Sequence, residues 1–241
     1  MNLLFYAILF VIGVGIGNIW AIQANKIPED LAMRKTHHSN KINEKLISKL
    51  TYMIIGGVSS VVLANVLKIN IYDFDFAKIT IYIFSMLYIS TLVLVAGIDR
   101  RYSKIEKSML TFGIISSIIY MLYLCVVDLA SIYLNSIYLA IYLVLLMIDA
   151  FLLRKYAKDS YIIDTLLLLM IIVVFTNLNI LIDTVIMAII AIAIYALILS
   201  RQKKKKGHKK LKINEIPVGY FISASNIIVL FMTRFLQNYC S

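Results

Sequence analysis

The sequence predicts an all-α, polytopic membrane bundle of about eight transmembrane helices, and three observations predict it. Of its 241 residues, 61 % are hydrophobic and only 15 % charged, with a mean hydropathy of +0.88. Soluble domains hold about 45–50 % apolar residues, and a single soluble core cannot hide the surplus. The apolar residues also fall in runs of about twenty, the length that carries a helix across a bilayer core. Short polar stretches separate these runs. Finally, two prolines, nine glycines and the lack of strict apolar/polar alternation argue against a β-barrel. One transmembrane helical domain, 1–241, accounts for the whole chain.

The first run, Asn2–Ile22, has no basic flank and no small-residue cleavage site, so it reads as a retained helix rather than a removed signal peptide. Gly13, Gly15 and Gly17 lie inside it with no preceding strand, which excludes a nucleotide loop and points to close helix packing. The second span, Lys49–Leu67, carries Gly56 and Ser60 to the same end. Phe76–Ile98, Ser108–Val127 and Ile132–Leu153 follow. Tyr161–Leu178 and Ile180–Leu199 are joined around Asn177 and Asn179, which predicts a tight hairpin. Ile216–Leu236 is the last.

Charge sets the expected orientation, because basic residues collect in cytoplasmic loops. The short basic loop Gln23–Ser48, with the adjoining Lys49, carries six Lys or Arg. The loop after the third span carries four (Arg100, Arg101, Lys104, Lys107), that after the fifth carries three (Arg154, Lys155, Lys158), and Arg201–Lys212, within the basic loop 200–215, carries eight. Together these hold 21 of the 24 basic residues; only Lys68, Lys78 and Arg234 fall on the other side. The expectation is a multi-pass protein of the plasma membrane with both termini outward. Between two spans, the run Lys203–Lys206 with Lys209, Lys210 and Lys212 reads as a loop against anionic lipid, not as a nucleic-acid site.

No metal or other cofactor is expected. Cys125 and Cys240 form no C-x-x-C pair, and His37, His38 and His208 sit in polar loops as solvated histidines. Acids near hydrocarbon are costly and so are candidates for function. Asp128 and Asp183 fall at outward helix ends and Asp73 and Asp75 in an outward loop, where water is near. Asp99, Asp149 and Asp164 remain. Asp99 closes the third span before Arg100, and Asp164 lies in the first turns of the sixth, at a similar depth. Asp149 sits about one turn inside the same face. Two carboxylates held close in a poorly hydrated site share a proton, so one can activate water while the other polarises a peptide carbonyl. By spacing alone the plainer reading is favoured: Asp99 pairs with Arg100 or Arg101, and Asp164 with a nearby lysine.

Four segments bear on that choice. Gly13-Val-Gly15-Ile-Gly17-Asn18-Ile19-Trp20, ending Lys26-Ile27-Pro28, resembles the first-helix signature G-x-x-x-G-S-F-x-N-V with its following R-x-P of the type IV prepilin peptidases. Lys26 stands for the arginine, Asn18 for the serine and Ala21 for the asparagine. Ile98-Asp99-Arg100-Arg101-Tyr102 is similar to the family's I-D-x-x segment, although Ile105-Glu106-Lys107 lacks the proline that usually follows. Ile162-Ile163-Asp164-Thr165 stands where the family has G-x-G-D-x-K and keeps only the aspartate, so that Ile162 and Ile163 crowd a carboxylate that glycine would leave open. Ile216-Pro217-Val218-Gly219-Tyr220 is similar to the I-P-F-G-P motif that opens the last helix.

The resemblance runs the length of the chain, in order, and implies a membrane-embedded aspartyl endopeptidase that removes prepilin or pseudopilin leader peptides at the cytoplasmic face. Asp99 and Asp164 would be the catalytic pair and Asp149 a supporting acid. Gly13, Gly17 and Gly219 would pack helices near the site, and Pro28 and Pro217 would fix helix ends. Glu29, Asp30 and Glu106 are acids on that face placed to receive a basic leader, besides Glu44, Asp159 and Glu215. The paired C-x-x-C motifs of many members are absent from the first loop, and their methylation of the new N-terminus is not carried over. Two alternatives stay open: a non-catalytic membrane subunit of a pilus or secretion apparatus, and a small transporter with Asp149 and Asp164 on a proton path. Oligomeric state is not legible.

Overall fold

The structure, a computed structural model, describes residues 2–25, 49–69, 75–127, 160–176, 178–205 and 216–240, with isolated positions between 137 and 147. Among the described residues there are seven helices and no strand. They are α1 (Asn2–Asn25), α2 (Lys49–Val66), α3 (Phe76–Tyr102), α4 (Lys107–Val127), α5 (Ser160–Phe175), α6 (Leu178–Lys205) and α7 (Val218–Cys240). Five of them, α1 to α4 and α6, are long and apolar enough to cross a membrane, while α5 and α7 contribute the shorter apolar stretches Ile163–Phe175 and Val218–Thr233. This all-helical, apolar build is that of a membrane protein. The expected fifth span with Asp149 falls outside the described elements, as do Lys26, Pro28 and most of both long basic loops.

α3 is the most enclosed helix, whereas α1 and α6 turn most of their apolar surface outward. One side of α3 joins α1 and α2 in a core of Trp20, Tyr52, Leu63, Met86, Ile89 and Val93. Its other side meets α4, α5 and α7 around Tyr88, Leu92, Val95, Ile105, Leu168, Ile171 and Ile222. Phe175 of α5 stacks between Tyr88 of α3 and Tyr120 of α4, with ring centroids 4.6 and 4.9 Å away. α5 and α6 are linked by two residues, as the hairpin reading expects. They part after the turn, however, and α6 lies along α7 instead.

The α1–α2 seam follows from glycine. A methyl group on Gly13 would lie 2.4 Å from the Gly56 carbonyl oxygen, and one on Gly17 would lie 2.2 Å from that of Tyr52. Two backbones this close exclude any side chain between them. Gly15 has nothing within 4 Å of its would-be methyl, so it takes no part in the packing expected of it. Ser60 donates from Oγ to the Leu9 carbonyl at 2.7 Å and meets the Tyr82 hydroxyl at 2.6 Å, fixing α2 to both neighbours.

Helix ends depart from the hydropathy limits for local reasons. Asp75, expected as a plain loop acid, caps α3 by accepting from the Ala77 N–H at 2.9 Å. At its other end α3 runs past Ile98 to Tyr102 and stops at Ser103, which adopts φ 49° and returns its N–H to the Asp99 carbonyl. α6 continues to Lys205, since lysine and arginine are good helix formers and suit a helix C-terminus.

Candidate active site

The chain turns sharply where α3 ends. Ser103 reverses it, Ile105 is buried, and Glu106 opens α4, its carbonyl accepting from Met109 and Leu110 and its carboxylate from Ser108. Glu106 therefore stands at the N-cap position of α4, its backbone carbonyl starting the helix's hydrogen bonds. Ile105 lies beneath Gly219, in the first turn of α7, where a methyl group would sit 2.9 Å from Ile105 Cδ1 and 3.1 Å from Asp99 Oδ2. Glycine at 219 is what lets the Asp99 carboxylate reach the α7 backbone. Pro217 immediately precedes the helix, and its carbonyl accepts from Phe221 N–H, as suits a residue that cannot donate.

Asp99 is fully buried in the last turn of α3. Its Oδ2 accepts from the Tyr220 N–H at 2.8 Å, at the positive end of α7. The phenol of Tyr161, in the first turn of α5, donates to both carboxylate oxygens, at 2.9 Å to Oδ1 and 3.0 Å to Oδ2. The same phenol oxygen accepts from the N–H groups of Val218 at 2.8 Å and Gly219 at 3.3 Å. Three helix ends thus converge on one carboxylate. Asp164 is also buried, 4 % exposed, and stands three residues after Tyr161 on the same face of α5. Tyr161 thus ties the start of the helix that carries Asp164 to Asp99.

Cations border this junction. The Arg100 guanidinium lies 5.4 Å from the centroid of the Tyr220 ring, and that of Arg101 lies 5.0 Å from the Tyr102 ring. The α1–α2 seam meets α3 on its other side. The Tyr52 carbonyl faces Gly17, while its phenol oxygen rests where a Gly97 side chain would be, two residues before Asp99 and so nearly opposite it around the helix. Gly17 and Gly13 thus pack the seam, and Gly219 alone of the three packs against Asp99.

Deeper in the bundle, Tyr88 of α3 donates to Asn226 Oδ1 of α7, and Asn226 Nδ2 donates to Thr184 Oγ1 of α6 at 3.0 Å. Thr184 closes the chain on the Ile180 carbonyl. All three side chains are buried. Ser223, one turn before Asn226, buries a hydroxyl that makes no hydrogen bond among the described residues.

Sequence reasoning missed Tyr161. In register with Asp164, the two glycine positions of the resembled motif are Tyr161 and Ile163, not Ile162 and Ile163, so a phenol fills one of them. Among the described residues no group of three or more His, Cys, Asp or Glu is placed to hold a metal ion. Comparison with protein families, with curated proteins and with solved structures found no match.

Proposed function

We propose that this protein is a membrane-embedded aspartyl endopeptidase that cuts the leader peptide of type IV prepilin-like proteins at the cytoplasmic face. The observation that carries this reading is the burial of two carboxylates, Asp99 where three helix ends meet and Asp164 three residues after Tyr161 on α5. Buried carboxylates are expensive and gather at functional sites. In this reading the chain spans the plasma membrane about eight times with outward termini, and its basic loops touch anionic lipid.

The reaction needs one carboxylate and one carboxylic acid. The carboxylate takes a proton from water as the water oxygen bonds to the scissile carbonyl carbon, while the acid hydrogen-bonds the carbonyl oxygen. As the tetrahedral intermediate collapses, the C–N bond breaks and the leaving amine takes a proton from the pair. Both transfers use Asp99 and Asp164 alone. Purified protein in liposomes, given a panel of synthetic leader peptides and followed by mass spectrometry, should cut each at one bond. Cleavage that persists in Asp99→Asn or Asp164→Asn would sink the assignment.

One observation favours a second reading, the non-catalytic subunit. Tyr161 and the Tyr220 N–H hold Asp99 much as a capping carboxylate is held at a helix start. A folded wild type that cuts none of the panel would support it.

A further inference from the structure

We infer that Tyr161 is a positioning residue for cleavage: its phenol fixes the plane of the Asp99 carboxylate and seats the start of α7 against it. This inference rests on the endopeptidase reading and names the residue that makes that site competent. A tyrosine hydroxyl has one proton to donate and two lone pairs to accept with. Here all three are used: the proton is shared between Asp99 Oδ1 and Oδ2, and the lone pairs take the Val218 and Gly219 N–H groups. Ammonium and guanidinium groups could not accept those N–H groups, and an ionised carboxylate could not donate to Asp99. Serine or threonine has the right chemistry but not the reach from the first turn of α5.

The geometry also explains why one residue can order the whole pair. Carboxylate rotation about χ2 is broad, with no deep well of its own. The phenol donates to both oxygens while the Tyr220 N–H holds Oδ2 at 2.8 Å, so rotation would break several hydrogen bonds together. Asp164 lies one turn along the same face of α5, so the contact that orients Asp99 also anchors the helix that carries the second acid. A displacement of about 1 Å at such a site costs on the order of 100-fold in rate.

The test is the cleavage kinetics of Tyr161→Phe in liposomes beside the wild type. The expected result is kcat lower by about 10- to 100-fold with KM within about twofold, because orientation is lost and substrate binding is not. An unchanged kcat overturns the inference. So does a raised kcat, which would make the phenol a block on the site, or a raised KM at constant kcat, which would make it a substrate contact. Fluorinated tyrosines placed at 161 nearly keep the shape and change the hydroxyl's strength as donor to Asp99 and, in the opposite sense, as acceptor from the α7 N–H groups, so they decide the matter even where Tyr161→Phe folds poorly. With these, kcat should move in step with phenol acidity, and a flat series overturns the inference. A folded wild type that is inactive on the leader panel removes the endopeptidase reading itself, and this inference with it.

Discussion

At the scale of single residues, a buried polar group is stable only when its hydrogen bonds are made. Tyr88 and Asn226 satisfy each other between α3 and α7. Tyr88→Phe strands the amide oxygen and should lower stability by about 1–2 kcal/mol, read as a drop in melting temperature in detergent. Ser223 is the opposite case. Its hydroxyl is buried without a hydrogen bond among the described residues, so Ser223→Ala should leave stability unchanged or raise it by up to about 1 kcal/mol. A clear loss of stability would show a hydrogen bond at Ser223 that this account lacks. Asp99 and Asp164 were legible in the sequence because a carboxylate at the edge of an apolar run is conspicuous. Tyr161 was not, since it is one of 16 tyrosines in a chain where tyrosine is expected at every membrane border. Its position three residues before Asp164 was the signal available.

At the scale of elements, hydropathy located the seven described helices, five of them long and apolar enough to cross a membrane, and placed their ends poorly. Burial by lipid or protein decides where a helix can run, but caps decide where it stops. Asp75, Ser103 and Glu106 set three of those ends, and none is apolar. The glycine pattern of α1 was legible as close packing, yet sequence could not say which glycines face α2. The structure divides them. Gly17→Ala would press a methyl against the Tyr52 carbonyl and should destabilise the α1–α2 pair by about 1–3 kcal/mol. Gly15→Ala meets nothing and should be neutral or stabilising, since alanine favours the helix by about 1 kcal/mol. Thermal unfolding of the two variants side by side checks both; equal effects would contradict the seam described above.

At the scale of the whole molecule, the all-helical membrane class was legible from composition, but neighbour relations were not. Lipid-facing and protein-facing apolar residues look alike in sequence, so the central place of α3 and the pairing of α6 with α7 come only from the structure. Orientation rests on the basic loops alone. Gly207→Cys, with Cys125 and Cys240 replaced by serine, should react with an impermeant maleimide only after the membrane is opened, and Asn70→Cys should react in intact cells; the reverse pattern would contradict the outward termini. The most direct test of the central claim is co-expression of the wild type, Asp99→Asn and Asp164→Asn with a type IV prepilin from the same genome, following the prepilin's size on a gel. Shortening by the wild type and by neither variant is the predicted result. A prepilin shortened equally by all three proteins would contradict the aspartyl pair.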